Sequence, residues 1–87
     1  MQLDEISYVE SNGNHIQFVL TGQKVVSRLT MSEVEELLPA APFIRIHRSY
    51  IVSKKHISKM DKNRVYIKQT ELPVGAAYAN EVEKLVK

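Results

Sequence analysis

Ile16, Phe18 and Leu20 fall at every second position of one short run, bounded by Ser11-Asn12-Gly13-Asn14 before it and Gly22-Gln23 after it. A period of two puts all three on one face of a half-buried strand. Asn-Gly is a strong hairpin signal, because both residues tolerate the positive φ that a tight reversal needs. Ile6–Glu10 is therefore predicted to be the preceding strand, His15–Thr21 the second and Lys24–Leu29 the third. Such a meander commits the chain to antiparallel sheet from its first thirty residues.

Thr30 changes the period. Thr30-x-x-Glu33 is a capping box, and Met31, Val34, Leu37 and Leu38 then recur on one helical face. Glu33, Glu35 and Glu36 face water and suit the positive end of the helix. Pro39 stops it, and Ala40-Ala41-Pro42 links onward. Phe43–His47, Tyr50–Ser53, His56–Met60 and Arg64–Gln69 read as short strands, with turns at Asp61-Lys62-Asn63 and Thr70-Glu71. Leu72-Pro73-Val74 is a last strand whose proline restricts it to an edge or a strand end. Ala76–Lys87 is predicted to be helical, with Ala79, Val82, Leu85 and Val86 as its apolar stripe. The expectation is one mostly β domain spanning residues 1–87, with one or two short helices.

At 87 residues the chain can build one modest core but not two domains. Its 44% apolar and 25% charged content is that of globular material rather than a disordered tail. It has no cysteine, which rules out disulfides and thiolate zinc sites. No apolar run approaches the roughly 18 residues that span a bilayer. The start, Met1-Gln2-Leu3-Asp4-Glu5, lacks the pattern of a secretory signal. A cytoplasmic protein without a membrane partner is expected, either whole or as part of a longer chain.

Charge is unevenly spread. Residues 45–68 hold eight lysines and arginines against Asp61, a net +7, whereas residues 1–44 carry −4 and residues 69–87 carry −1. Concentrated cationic charge on a stiff element suits a polyanion, since each neutralised phosphate releases condensed counterions. Lysines that block pairing at a sheet edge are the competing explanation. The segment centres on Phe43-Ile44-Arg45-Ile46-His47-Arg48-Ser49-Tyr50-Ile51-Val52, where cations are projected from an apolar strand pair.

The chemistry of catalysis is poorly represented. His15, His47 and His56 lack the i, i+4 spacing of a helical metal pair. There is no Gly-x-Ser-x-Gly elbow, no Gly-rich phosphate loop and no paired-carboxylate arrangement. Neither an enzyme nor a bound cofactor is expected. Arg48 is the best base reader, because a guanidinium can donate twice to guanine; alternatively it bridges to a carboxylate such as Glu10. His47 and Ser49 suit phosphate oxygens, with a backbone-bonded buried histidine as the alternative. His15 is a groove contact or a simple turn residue. Lys54 and Lys55 are phosphate contacts or solvated surface. Arg45 shares a strand side with Phe43 and His47 and is expected to snorkel over the core. Tyr8, Phe18, Phe43 and Tyr66 read as core. Three classes stay open: a duplex DNA-binding domain, a single-strand binder on a β platform, and a protein-interaction module pairing through its sheet edges.

Several segments together resemble the LytTR family of DNA-binding domains, output modules of many bacterial response regulators. They are Ile6-Ser7-Tyr8-Val9-Glu10-Ser11, the helix Leu29–Leu38, the stretch Phe43–Val52 with His56-Ile57, and Leu72-Pro73-Val74 followed by Tyr78. The resemblance implies a compact β fold that enters the major groove with loops between strands. It implies three such loops: Asn12–His15, with Asn14 or His15 reading; His47-Arg48-Ser49; and Gly75–Tyr78. The third departs from the family, which often has Ser and Arg where this chain has Gly75, Ala76 and Ala77. Ser53 stands where Asn is common. The resemblance further implies an N-terminal receiver domain, a monomer when isolated, and a dimer on repeated half-sites of double-stranded DNA.

Overall fold

The computed structural model describes residues 3–61 and 63–86. Eight strands and two helices follow in the order β1 (Ile6–Asn12), β2 (His15–Leu20), β3 (Gln23–Ser27), α1 (Met31–Leu37), β4 (Phe43–His47), β5 (Tyr50–Ser53), β6 (Lys59–Met60), β7 (Arg64–Ile67), β8 (Thr70–Pro73) and α2 (Ala79–Val86). Short 3-10 turns occupy Leu3–Glu5, Lys54–His56 and Ala76–Tyr78. Five strands form an antiparallel sheet in the order β3-β2-β1-β5-β4, and three form a second sheet, β6-β7-β8.

The five-stranded sheet is the middle layer, because it carries apolar side chains on both faces. On one face Val9, Ile16, Phe18, Leu20, Phe43 and Ile51 cluster with Met31, Val34 and Leu38 at α1. On the other, Ile46 and Val52 cluster with Val65, Ile67 and Leu72 of the small sheet and Val82 of α2. Phe18 and Phe43 are core as expected, while Tyr8 and Tyr66 are half-buried. Proline in β8 sits on an edge strand, as its missing N–H requires.

The meander and the capped helix form where the sequence indicates, with shifted ends. Asn12 pairs with His15, so the hairpin loop is Gly13-Asn14, with Gly13 at φ +73. The next reversal is Thr21-Gly22, with Gly22 at φ +83, and Gln23 already belongs to β3. Thr30 accepts from the Glu33 N–H at 3.1 Å and its own N–H donates to the Glu33 carboxylate at 2.9 Å, completing the capping box. Leu37, expected on the apolar face, is 65% exposed. It lies about 60° beyond Val34 around the helix axis, outside the narrow stripe that Met31, Val34 and Leu38 present.

Later elements are shorter than expected. His56–Met60 forms only the two-residue β6, because His56 closes a 3-10 turn and bonds through Nε2 to the Asp4 carbonyl at 3.0 Å. β7 stops at Ile67, and the reversal is Lys68-Gln69 rather than Thr70-Glu71. Lys68 takes the left-handed φ of 57 there. The Asp61 carboxylate accepts from the backbone of Asn63 and Arg64, both at 2.8 Å, and so makes the preceding turn. The terminal helix begins at Ala79 after the 3-10 turn and buries Val82 completely. Lys62, Lys87 and the Val86 side chain lie outside the described residues.

A candidate nucleic-acid interface at one end of the central sheet

Antiparallel register gathers three loops at one end. β1 pairs with β5 as Glu10 opposite Tyr50, and Ser11 N–H then donates to the Ser49 carbonyl at 2.8 Å. The β1–β2 tip therefore stands beside the β4–β5 tip, Arg48-Ser49. On the other side Gly75 N–H donates to the Ile46 carbonyl at 2.8 Å, bringing the chain after β8 against the edge of β4. A Cβ at Gly75 would meet Tyr78 Cδ2 at 3.2 Å and His47 Cδ2 at 3.4 Å. Glycine is what allows this close approach.

A β-bulge aims the middle loop. Arg45 pairs with Ile51 and His47 with Tyr50, which leaves Ile46 as the extra residue. Paired residues share a face, so His47 is carried to the Tyr50 side instead of staying with Phe43 and Arg45 as alternation predicted. Its ring meets Tyr50 edge to face at 5.5 Å. Ser49 N–H donates to His47 Nδ1 at 3.1 Å, so a neutral ring carries its proton on Nε2 and remains a donor there.

Arg45 does not simply lie over the core. Its Nη2 donates to the Arg48 carbonyl at 2.7 Å and its Nε to the His47 carbonyl at 3.3 Å. Nη1 forms an ion pair with Glu35 on α1, and the guanidinium stands 5.5 Å from the centre of the Tyr78 ring. Arg48 itself is exposed, and no ion pair to it occurs among the described residues. Glu10, its suggested carboxylate partner, stands opposite Tyr50 in the β1–β5 pairing. Burial, then the negative charge of Glu10, hold the Tyr50 hydroxyl above its ordinary range. Burial first and then Glu10 raise Tyr8 likewise. Both phenols therefore stay protonated donors at neutral pH.

Of the residues singled out in the sequence, Asn14, His15, His47, Arg48 and Ser49 come together at this end, with Asn14, His15 and Arg48 exposed. Lys54 and Lys55 do not join them. They leave the opposite end of β5, where Lys55 stands 3.9 Å from Asp4. The basic segment is likewise divided. Arg64 pairs with Glu71 across the small sheet, and Lys59 lies over the Tyr66 ring. Sequence reasoning passed over Arg28, which lines an open groove of about 360 Å³ with Ser11, Gly13, Asn14, Thr30 and Glu33. Its signal was hidden because it lies in the acidic first half of the chain. Among the described residues no His, Asp and Glu cluster could hold a metal ion, and no helix is long and apolar enough to cross a membrane.

Known proteins are similar to this chain in fold and in sequence. A solved LytTr DNA-binding domain from Bacillus cereus superposes with a TM-score of 0.89 at 25% identity, over 99% of this chain and 84% of the other. The sensory transduction protein LytT of Bacillus anthracis is 27% identical over the whole chain, which covers 38% of that relative. A heme-containing CO-sensing transcriptional regulator of Paraburkholderia xenovorans is 24% identical over 99% of the chain, which covers 35% of it. The chain thus spans little more than a third of the length of these relatives. The profile of the LytTr DNA-binding domain matches residues 1–87 from end to end. Matched over its whole length and sharing the fold of a solved member, the chain belongs to the LytTr family of DNA-binding domains.

Proposed function

We propose that this domain reads double-stranded DNA sequence-specifically through the loop end of its central sheet. The observation that carries the reading is the exposed, unpaired Arg48 side chain on a turn whose backbone is tied on both sides. Arg48 takes the base-reading role, with Asn14 and His15 reading from the neighbouring tip. His47 and Ser49 meet phosphate oxygens and set the register. Lys54 and Lys55 are peripheral, and Gly75-Ala76-Ala77 adds close surface without charge. All six aromatic residues are buried or half-buried, which leaves no exposed stacking platform and weighs against a single-strand binder.

In the whole protein the domain serves transcription regulation as the output of an N-terminal sensing domain, such as a phosphorylatable receiver. Alone it is a monomer with weak half-site affinity, and paired copies on DNA bind tightly through effective concentration. Sedimentation of the free domain as a stable dimer would contradict this.

The test is fluorescence anisotropy with three probes: a duplex enriched from a random pool by the domain itself, random duplex, and single strand. Arg48→Ala should cut preference for the enriched duplex by about 5–150-fold, the equivalent of about 1–3 kcal/mol for a lost bidentate contact, with folding intact. Equal losses on enriched and random duplex would make Arg48 a phosphate contact. Tighter binding to single strand would overturn the duplex reading altogether.

A further inference from the structure

We propose that Arg45 is the positioning residue of the reading end, the tie that fixes the direction in which Arg48 is presented. The inference rests on the duplex reading above and adds a residue that does its work without meeting DNA. Three nitrogens of the Arg45 guanidinium are engaged within the protein: Nε by the His47 carbonyl, Nη2 by the Arg48 carbonyl and Nη1 by Glu35. Its side chain is only 24% exposed, and its Cζ lies over the Tyr78 ring. A phosphate would have to displace these partners.

The position of each partner gives the tie its meaning. The two carbonyls belong to consecutive residues of the bulged β4–β5 turn, so their peptide planes are held, and with them the Cα–Cβ direction of Arg48. Glu35 belongs to α1, on the far side of the first core. Tyr78 belongs to the third loop, whose Gly75 abuts His47. One planar fork therefore locks the middle loop to a helix and to its neighbouring loop. Lysine has the charge but not the fork, and it cannot span two carbonyls and a carboxylate at fixed angles. A turn ordered before binding spares the complex the entropy of ordering it afterwards. The helix-to-turn tie also means that whatever displaces α1 alters what Arg48 can reach.

The experiment measures the affinity ratio of the enriched duplex to random duplex for the wild-type chain, Arg45→Lys, Glu35→Ala and Arg48→Ala, alongside amide hydrogen exchange at Ser49 and Gly75. Arg45→Lys is expected to lower the ratio about tenfold or more, with random-duplex affinity held within about twofold because the charge remains. Ser49 and Gly75 should exchange faster while amides of β1 and β2 keep their protection. Glu35→Ala cuts one tie at an exposed helix position, so it remains informative if Arg45→Lys folds poorly; a severalfold fall in the ratio is expected. Two results overturn the proposal. In one, Arg45→Lys and Glu35→Ala keep the wild-type ratio. In the other, both duplexes lose affinity equally and the exchange rates do not change, as for a phosphate contact. If Arg48→Ala leaves the ratio unchanged, the duplex reading itself has failed, independently of Arg45.

Discussion

Replacing Lys54 and Lys55 together by glutamine should leave the salt dependence of duplex binding almost untouched, although both lie in the most basic stretch of the chain. Two cations without an ion pair among the described residues stand at the reading end: Arg48 on its turn, and Arg28 in the groove beside Asn14. The charge of Arg45 is met by Glu35. At about 0.9 counterions per neutralised phosphate, log K should fall against log salt with a slope no steeper than about −2, and nearer −1 if Arg48 spends its charge on a base. Lys54 follows the four residues of β5, roughly 16 Å along the strand from Ser49. That exceeds the screening length of about 8–10 Å at ordinary ionic strength. Between about 50 and 200 mM salt, a slope near −2 means a loss of about 16-fold. Engagement of all eight cations of residues 45–68 would give a slope near −7 and a loss of about 10⁴-fold, so the two cases are far apart. Anisotropy titrations across that range measure both slopes. The double variant should shift the slope by less than about 0.5, whereas two phosphate contacts would shift it by nearly 2. A wild-type slope steeper than about −5, or a flattening above about 1, would refute the division of charge argued from the fold.

Thr30→Ala removes the side-chain half of the capping box and should cost about 1 kcal/mol, a fall in Tm of about 4–8 °C for a domain of this size, with Thr30→Ser restoring most of it. A circular-dichroism melt decides. Ile46 is fully buried in the cluster between the two sheets, so Ile46→Ala should cost about 2–5 kcal/mol in urea unfolding and Ile46→Val about 1; near-neutral behaviour would mean that the bulge tolerates a void there. The backbone N–H groups of Asn63 and Arg64 hold the Asp61 carboxyl below its ordinary value of 3.8. A depressed folded-state value contributes stability above the unfolded value that is lost as pH falls through the folded one. Asp61→Asn keeps an acceptor without the titration, so the difference in urea midpoint between wild type and variant should change below pH 4 and stay constant from pH 5 to 7. A difference that moves across pH 5 to 7 instead would assign the effect to another group.

Elements that rest on local signals were legible. The Gly13 reversal, the Thr30–Glu33 box and the edge position of Pro73 each follow from the backbone needs of one or two residues. The Lys68 turn was not legible, because a lysine in the left-handed region is imposed by the strands it joins and leaves no mark in composition. The His56–Met60 strand failed for a similar reason: the bond from His56 to the Asp4 carbonyl spans 52 residues and overrides local propensity. At the site, His47-Arg48-Ser49 could be read as a polar tip between apolar strands. The bulge at Ile46 could not, and it is why strand alternation misassigned His47 and left Arg45 as a mere snorkel. The run of cations was plain in sequence, but the fold distributes a linear charge run over two sheets and both ends of β5. Arg28 joins the reading end only because β3 returns its last residue, Ser27, to pair with Ile16.

The two-faced central sheet also bears on how the protein is made. Residues up to Ser53 contain all five of its strands and the helix that covers one face, whereas everything covering Tyr8, Ile44, Ile46 and Val52 comes afterwards. At about 5–20 residues per second, a nascent chain spends roughly 2–7 s adding residues 54–86. During that interval the sheet can close its strand pairing while one apolar face stays bare. A messenger cut short, or a protease acting at the 3-10 turn Lys54–His56, would release a sticky half-clad sheet. Fusions and expression boundaries for this domain therefore belong beyond α2, since any end placed between Ser53 and Val82 trades solubility for length.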